Sequence, residues 1–159
     1  MANKHWLSQE LFTTIIDKTP LVSIDLVVRG TDGRVLLGKR LNRPAYGYWF
    51  VPGGRILKGE TLAKAFERLT LAELGVAMNI NDATYLGLYE HFYEDFVFGE
   101  GVTTHYVVNG FEVQLPAEVK DLPSEQHGEY AWFEEQALLS SDEVHVHSKW
   151  YFDDTKGFL

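Results

Sequence analysis

The stretch Trp49-Phe50-Val51-Pro52-Gly53-Gly54-Arg55 is followed at fixed distances by Glu60, Arg68 and Glu73. Paired glycines let a backbone turn sharply and come close to a ligand, leaving amides and carbonyls free to bond it. Arg55 adds a planar donor fork suited to a phosphate. Glu73 is the unusual member of the set. At about 100° per residue it falls within the apolar face of Leu62, Ala65, Phe66, Leu69 and Val76. A carboxylate there is costly unless it is paired or coordinated. It is a solvated residue at the edge of the stripe, one arm of a salt bridge with Arg68, or a ligand for a cation. Leu71 on the opposite face predicts a helix covered on both sides, which disfavours an exposed Glu73.

Other residues have chemistry without an obvious use. Asp25 interrupts the apolar run Leu21–Val28, and an aspartate in such a strand needs a partner, which His91 could supply. Glu125-Gln126-His127 places an amide and an imidazole side by side in a polar segment. An imidazole titrates near neutrality and suits proton removal there. By residue type alone, Gln126 reads as an ordinary loop glutamine, Arg40 as a strand-end residue and Tyr106 as a core aromatic. His5, His145 and His147 read as surface residues near the termini.

The elements that must position these groups follow from local pattern. Ser8 is an N-cap for a helix through about Lys18, with Leu11, Phe12, Ile15 and Ile16 on one face, ended by Pro20. Leu21–Arg29 and Arg34–Arg40 read as a hairpin around Asp32-Gly33. A loop from Asn42 to Gly54 holds a short aromatic strand, Tyr48–Val51. The strongest helix, Thr61–Leu74, is closed by Gly75, where a left-handed residue is wanted. Strands follow around Ala83–Phe92 and Thr103–Val113, then a polar loop (Pro116–Gly128). A strand at Tyr130–Phe133, a helix near Glu134–Leu139 and a helical tail complete the chain. Strands before and after one central helix predict a layered α+β domain, an α/β/α sandwich with a mixed sheet.

The 159 residues are 45% hydrophobic, enough for one domain spanning 1–159 with a real core. The absence of cysteine excludes disulfides, thiolate nucleophiles and Cys-based zinc sites. A formal charge of −9 gives no general attraction for nucleic acid, so if the chain binds phosphates it must do so locally, with placed arginines and a metal. No segment is long and apolar enough to cross a bilayer, and Met1–Leu11 lacks a secretory pattern.

The spacing Gly54-x5-Glu60-x7-Arg68, closing on Glu73-Leu74-Gly75-Val76, resembles the Nudix box, a loop–helix–loop motif that binds a metal-diphosphate. Two glutamates of the usual box are Leu69 and Ala72 here. One remaining carboxylate is too little charge for a metal cluster but can serve one Mg²⁺, which keeps several waters and takes substrate phosphates as ligands. The text Arg43–Arg55, Phe66–Gly75, Thr104–Val108 and Glu125–His127 is similar to the GDP-mannose mannosyl hydrolases, which share this shortened glutamate set.

That resemblance implies Mg²⁺-dependent hydrolysis of GDP-mannose, and of GDP-glucose, to GDP and free sugar by C–O cleavage with inversion. It implies one Mg²⁺ per subunit, held by Gly53, Glu73 and Gln126, with His127 as general base. Arg40, Arg55 and Tyr106 would hold the departing GDP, with Arg68 supporting the site through Glu60. Asp25 and His91 would lie at the sugar end, Asp25 steadying charge at C1 as carboxylates do in glycosidases. The family's setting implies a cytoplasmic homodimer using the N-terminal helix (1–19). The competing expectations are an ordinary Nudix pyrophosphatase attacking phosphorus, which Leu69 and Ala72 disfavour, and a domain that binds nucleotide-sugars without turnover.

Overall fold

The computed structural model describes residues 7–119, 122 and 127–159, with His127 and Gly128 described by their backbone alone. Helix α1 (Gln9–Lys18) starts where Ser8 Oγ accepts the Leu11 N–H at 3.1 Å. Strand β1 (Leu21–Arg29) follows, then β2 (Val35–Arg40), β3 (Trp49–Phe50), β4 (Gly53–Arg55) and helix α2 (Leu62–Leu74). The second half adds β5 (Thr84–Tyr93), β6 (Thr104–Gln114), β7 (His127–Phe133), α3 (Glu135–Ser140) and α4 (Val146–Lys149), which runs into a 3-10 turn at Trp150–Phe152.

The strands form one mixed sheet ordered β3-β2-β1-β6-β5, with β4 pairing β1 and β7 pairing β2. Only the central β1–β6 pair is parallel among these ladders. β1 is apolar throughout because it is covered on both faces. Ile24, Leu26 and Val28 pack with Ala65, Phe66, Leu69 and Leu74 of α2. Val27 joins Val35, Leu37, Val108, Leu138, Val144 and Tyr151 on the other face, under α3 and the C-terminal segment. The period of two along a strand therefore sends Asp25 to the same side as Val27. The result is the expected α+β Nudix fold, a mixed sheet between helical layers.

Three local expectations change. The β1–β2 hairpin splits after Arg29↔Val35. β2 turns away to β3 and β7, and β4 takes the place beside β1. Gly53 and Gly54 lie in β4, where both avoid positive φ, so they do not make the anticipated sharp turn. They serve close approach. A Cβ on Gly53 would run into Ile24 O and Asp25, and one on Gly54 would lie 2.6 Å from Leu69 Cδ2.

The third concerns α2. Thr61 caps it through Oγ1 to the Lys64 N–H (3.1 Å), and Gly75 ends it at φ 79°. Its covered face holds Ala65, Phe66, Leu69, Glu73 and Leu74, but Leu71 is 54% exposed. The helix lies on one face of the sheet and nothing described covers its outer side. Phe66→Ala is therefore expected to cost about 3–5 kcal/mol in urea denaturation, and Leu71→Ala to stay within about 0.5 kcal/mol.

Candidate functional site

β4, the end of α2, α1 and the loop before β6 enclose a cleft of about 640 Å³. Gly53, Arg55, Arg68 and Glu73 line it, together with Arg40, Arg43 and Tyr106. Its volume is that of a site for a nucleotide-sized ligand. At Arg40, Pro44, Gly53, Gly54 and Tyr106 it adjoins a smaller pocket of about 60 Å³, whose lining adds Ser23, Asp25, His91 and Tyr93. Guanidinium side chains thus surround the larger space, and a carboxylate with hydroxyl- and imidazole-bearing side chains surrounds the smaller.

Glu73 is 3% exposed. Among the described residues it is the one carboxylate lining the larger cleft. The salt bridge weighed for it with Arg68 belongs to Glu60. Arg68 Nε donates to Glu60 Oε2 at 2.7 Å and Nη2 to Glu60 Oε1 at 3.0 Å. A further bond from Arg68 Nη2 to the Arg55 carbonyl (2.9 Å) ties β4 to the helix. Glu60 Oε1 also accepts the Leu57 N–H at 2.8 Å, so this pair braces the loop between β4 and α2. Arg55 leaves the brace for the cleft, with its guanidinium 4.8 Å over the Phe12 ring.

Gly53 and Glu73 suit a hard cation. The missing Cβ keeps open the space beside Asp25, and a backbone carbonyl with a buried carboxylate is an oxygen donor set for Mg²⁺. Among the described residues no cluster of three His, Asp or Glu side chains forms a further metal site. Gln126 lies outside the described residues, as does the His127 side chain. The backbone of His127 is placed, opposite Arg40 in the β2–β7 ladder. Tyr130, further along β7, donates to the Glu73 carbonyl at 3.4 Å.

Arg40 Nε donates to the Pro44 carbonyl at 3.3 Å, which holds the side chain at the junction of the two cavities. Tyr106 stands beside it. Burial pushes its phenol up, while Arg40 and Arg55 pull it down, so both cations act on this one hydroxyl.

The inner pocket departs from the sequence reading. His91 does not bond Asp25. The partner is Tyr151, whose hydroxyl donates to Asp25 Oδ2 in a buried contact. Burial pushes the Asp25 carboxyl up to about 7, the Tyr151 bond and Arg40 drawing it down and Glu73 adding to the rise. His91 instead stacks face to face on His147, with centroids 4.2 Å apart and planes 9° apart. His147 is 6% exposed, and His145 packs against Tyr48, Phe50 and Tyr93. These two histidines are therefore packed behind the His91 wall of the inner pocket and are not the surface residues expected. His5 lies outside the described residues. The Val144-x-x-His147-Ser148-x-x-Tyr151 spacing was the available signal, because it puts apolar and polar groups on one face of a short helical segment.

Burial holds all three imidazoles neutral. His91 falls to about 2, with His147 and then His145 adding to the effect. His147 falls to about 3, helped by His145, and His145 to about 4, helped by Arg40. In the unfolded chain each titrates near 6.5, so between about pH 6.5 and 4 the unfolded state binds more protons and stability falls on acidification. Asp25, raised from 3.8, acts in the opposite sense over the same window. Three groups outweigh one. His147→Asn is expected to flatten the slope of unfolding free energy against pH by roughly one proton between pH 6.5 and 4. An unchanged slope in urea titrations would mean that His147 is already charged in the native protein.

Comparison with known proteins agrees with this architecture. The family model described as the NUDIX domain matches residues 19–153. The chain is 46% identical over 121 residues to the low-salt glycan biosynthesis protein Agl8 of Haloferax volcanii, covering 76% of this chain and 74% of that one. Among solved structures, a MutT NUDIX hydrolase from Burkholderia pseudomallei superposes with a TM-score of 0.67 at 25% identity, covering 87% of this chain and all of that one. The MutT protein of Methanosarcina mazei Go1 superposes at 0.66 with 21% identity, over 86% and 93% of the two chains. Gly54, Arg68 and Glu73 around one cleft, with Glu60 bonded to Arg68 behind them, on a fold matched along most of its length, make this chain a member of the Nudix hydrolase family.

Proposed function

We propose that this Nudix hydrolase cleaves GDP-mannose, and GDP-glucose with it, to GDP and free sugar by breaking the C1–O bond with inversion. The observation that carries the reading is the pair of adjoining cavities. The larger has four arginines and one carboxylate, and the smaller, which shares Arg40 and Tyr106 with it, has Asp25 in its lining. Nudix hydrolases generally use a divalent metal on nucleoside-diphosphate substrates. Attack at phosphorus in such sites draws on several carboxylates to hold more than one ion. Leu69 is packed in the core and Ala72 faces the cleft without a charge, so that capacity is missing. The glycan-related name of the Haloferax relative is in keeping with a sugar nucleotide.

In this reading Gly53, Glu73 and Gln126 would hold one Mg²⁺ per subunit, and that ion would supply positive charge to the diphosphate of the leaving group. Arg40, Arg55 and Tyr106 bind the diphosphate oxygens as charge builds on the leaving group. Arg68 contributes by fixing β4 through Glu60. His127, beside Arg40 in the ladder, takes a proton from the water that attacks C1. Asp25 faces the sugar from the inner pocket and steadies positive charge at C1, with His91 forming the adjacent wall. The active species is a homodimer that uses α1, although Phe12, Ile15 and Ile16 also pack within the chain against Leu21 and Phe96.

Incubation with GDP-mannose and Mg²⁺ in ¹⁸O-water tests the reaction. GDP with label in the free mannose is expected; GMP and mannose 1-phosphate would establish attack at phosphorus and sink the reading. Glu73→Gln should lower kcat by at least about tenfold and raise the Mg²⁺ concentration needed for half-activity. Light scattering should give twice the 18.1 kDa of the chain.

A further inference from the structure

We propose that Tyr151 is the positioning residue of Asp25, and that the C-terminal segment acts on the inner pocket from behind by holding Tyr151 in place. Tyr151 lines neither cavity, so it meets no ligand there. Its hydroxyl is the side-chain partner of Asp25 among the described residues. The bond occupies Oδ2, while Oδ1 lies against Gly53, where the two cavities adjoin. One carboxylate oxygen is anchored and the other is presented. A carboxylate left without this donor could rotate about its terminal bond, because that torsion is broad.

Tyr151 is itself held on every side the fold offers. Its ring meets Tyr89 edge to face at 4.6 Å. Gly110 of β6 leaves room for it: a Cβ there would stand 2.9 Å from Tyr151 Cε1. Tyr89 is covered in turn by Gly157, where a Cβ would stand 2.7 Å from Tyr89 Cζ. The chain beyond Gly157 pairs with the edge of β5, Phe158 N–H donating to the Leu88 carbonyl at 2.8 Å and the Leu88 N–H to the Phe158 carbonyl at 2.5 Å. Contacts therefore run without a gap from the paired tail through Tyr89 and Tyr151 to Asp25. The two glycines sit where the ring contacts are tightest.

The proposal rests on Asp25 facing the sugar, and its test separates the two. Tyr151→Phe keeps the ring and its packing and removes only the donor. It is expected to lower kcat on GDP-mannose about tenfold, the scale of a hydrogen bond to a charged group, with GDP affinity by calorimetry within about twofold of the native protein. In an Asp25→Asn background the same change should cost less than about twofold, since a residue that acts through Asp25 has nothing left to position. Equal losses in both backgrounds would make Tyr151 a general structural residue and overturn the proposal. A second readout needs no substrate. The native protein should show a slowly exchanging, downfield hydroxyl proton by NMR that disappears in both Tyr151→Phe and Asp25→Asn. Its persistence in Tyr151→Phe, or its absence from the native protein, would also overturn the proposal. Failure of the native protein to turn over GDP-mannose would refute the reaction and leave the hydroxyl assignment to be decided by that resonance.

Discussion

The site depends on how closely β4 lies against β1 and α2. Two consecutive residues without side chains let the backbone of β4 fit between Asp25 on one side and Leu69 on the other. Any Cβ at either position would push these elements apart. That contact brings together three things that are remote in the chain: the carboxylate near the end of α2, the carboxylate in the middle of β1, and Arg55 in β4 itself. The Arg68–Glu60 pair then clamps the loop between β4 and α2. An ion pair whose arginine is still partly open to solvent adds only modestly to stability by itself. Its effect here is geometric, because one guanidinium bonds both Glu60 and the Arg55 carbonyl.

Charge is distributed as local phosphate binding requires. The chain carries a formal −9 overall, yet Arg40, Arg43, Arg55 and Arg68 line the cleft with Glu73 as its lone acid among the described residues. A field of that kind repels polyanions in general and leaves positive potential only where the arginines converge. The inner pocket has another character. Asp25, Tyr93, Tyr106 and Tyr151 are all driven toward their neutral forms by burial, and so are His91, His145 and His147. The inner pocket and the side chains packed behind it are thus largely uncharged, in contrast to the arginine-lined cleft beside them.

Much of this was legible in the residues. Alternation and helical periodicity located α1, β1, α2, β5 and β6 within a few positions, because each depends on contacts at short range. The Gly54, Glu60, Arg68 and Glu73 spacing marked the cleft for a related reason: it spans one loop and one helix, so sequence distance and spatial distance still correspond. The family resemblance pointed to the shortened carboxylate set, and the packed Leu69 and open Ala72 accord with it.

What the chain determined by itself, then, was most of the elements (β4 excepted), the box and the anomaly of Asp25 in an apolar strand. Tertiary structure decided the rest. Whether Gly53 and Gly54 turn or run straight depends on β1 lying beside them, not on their own freedom. The partner of Asp25 could not be read locally, since Tyr151 is 126 residues away and reaches it only after the C-terminal segment folds over the sheet. His145 and His147 read as surface residues for the same reason. Their burial comes from β5 and β3, and no pattern within their own short helical segment shows which strands will cover it.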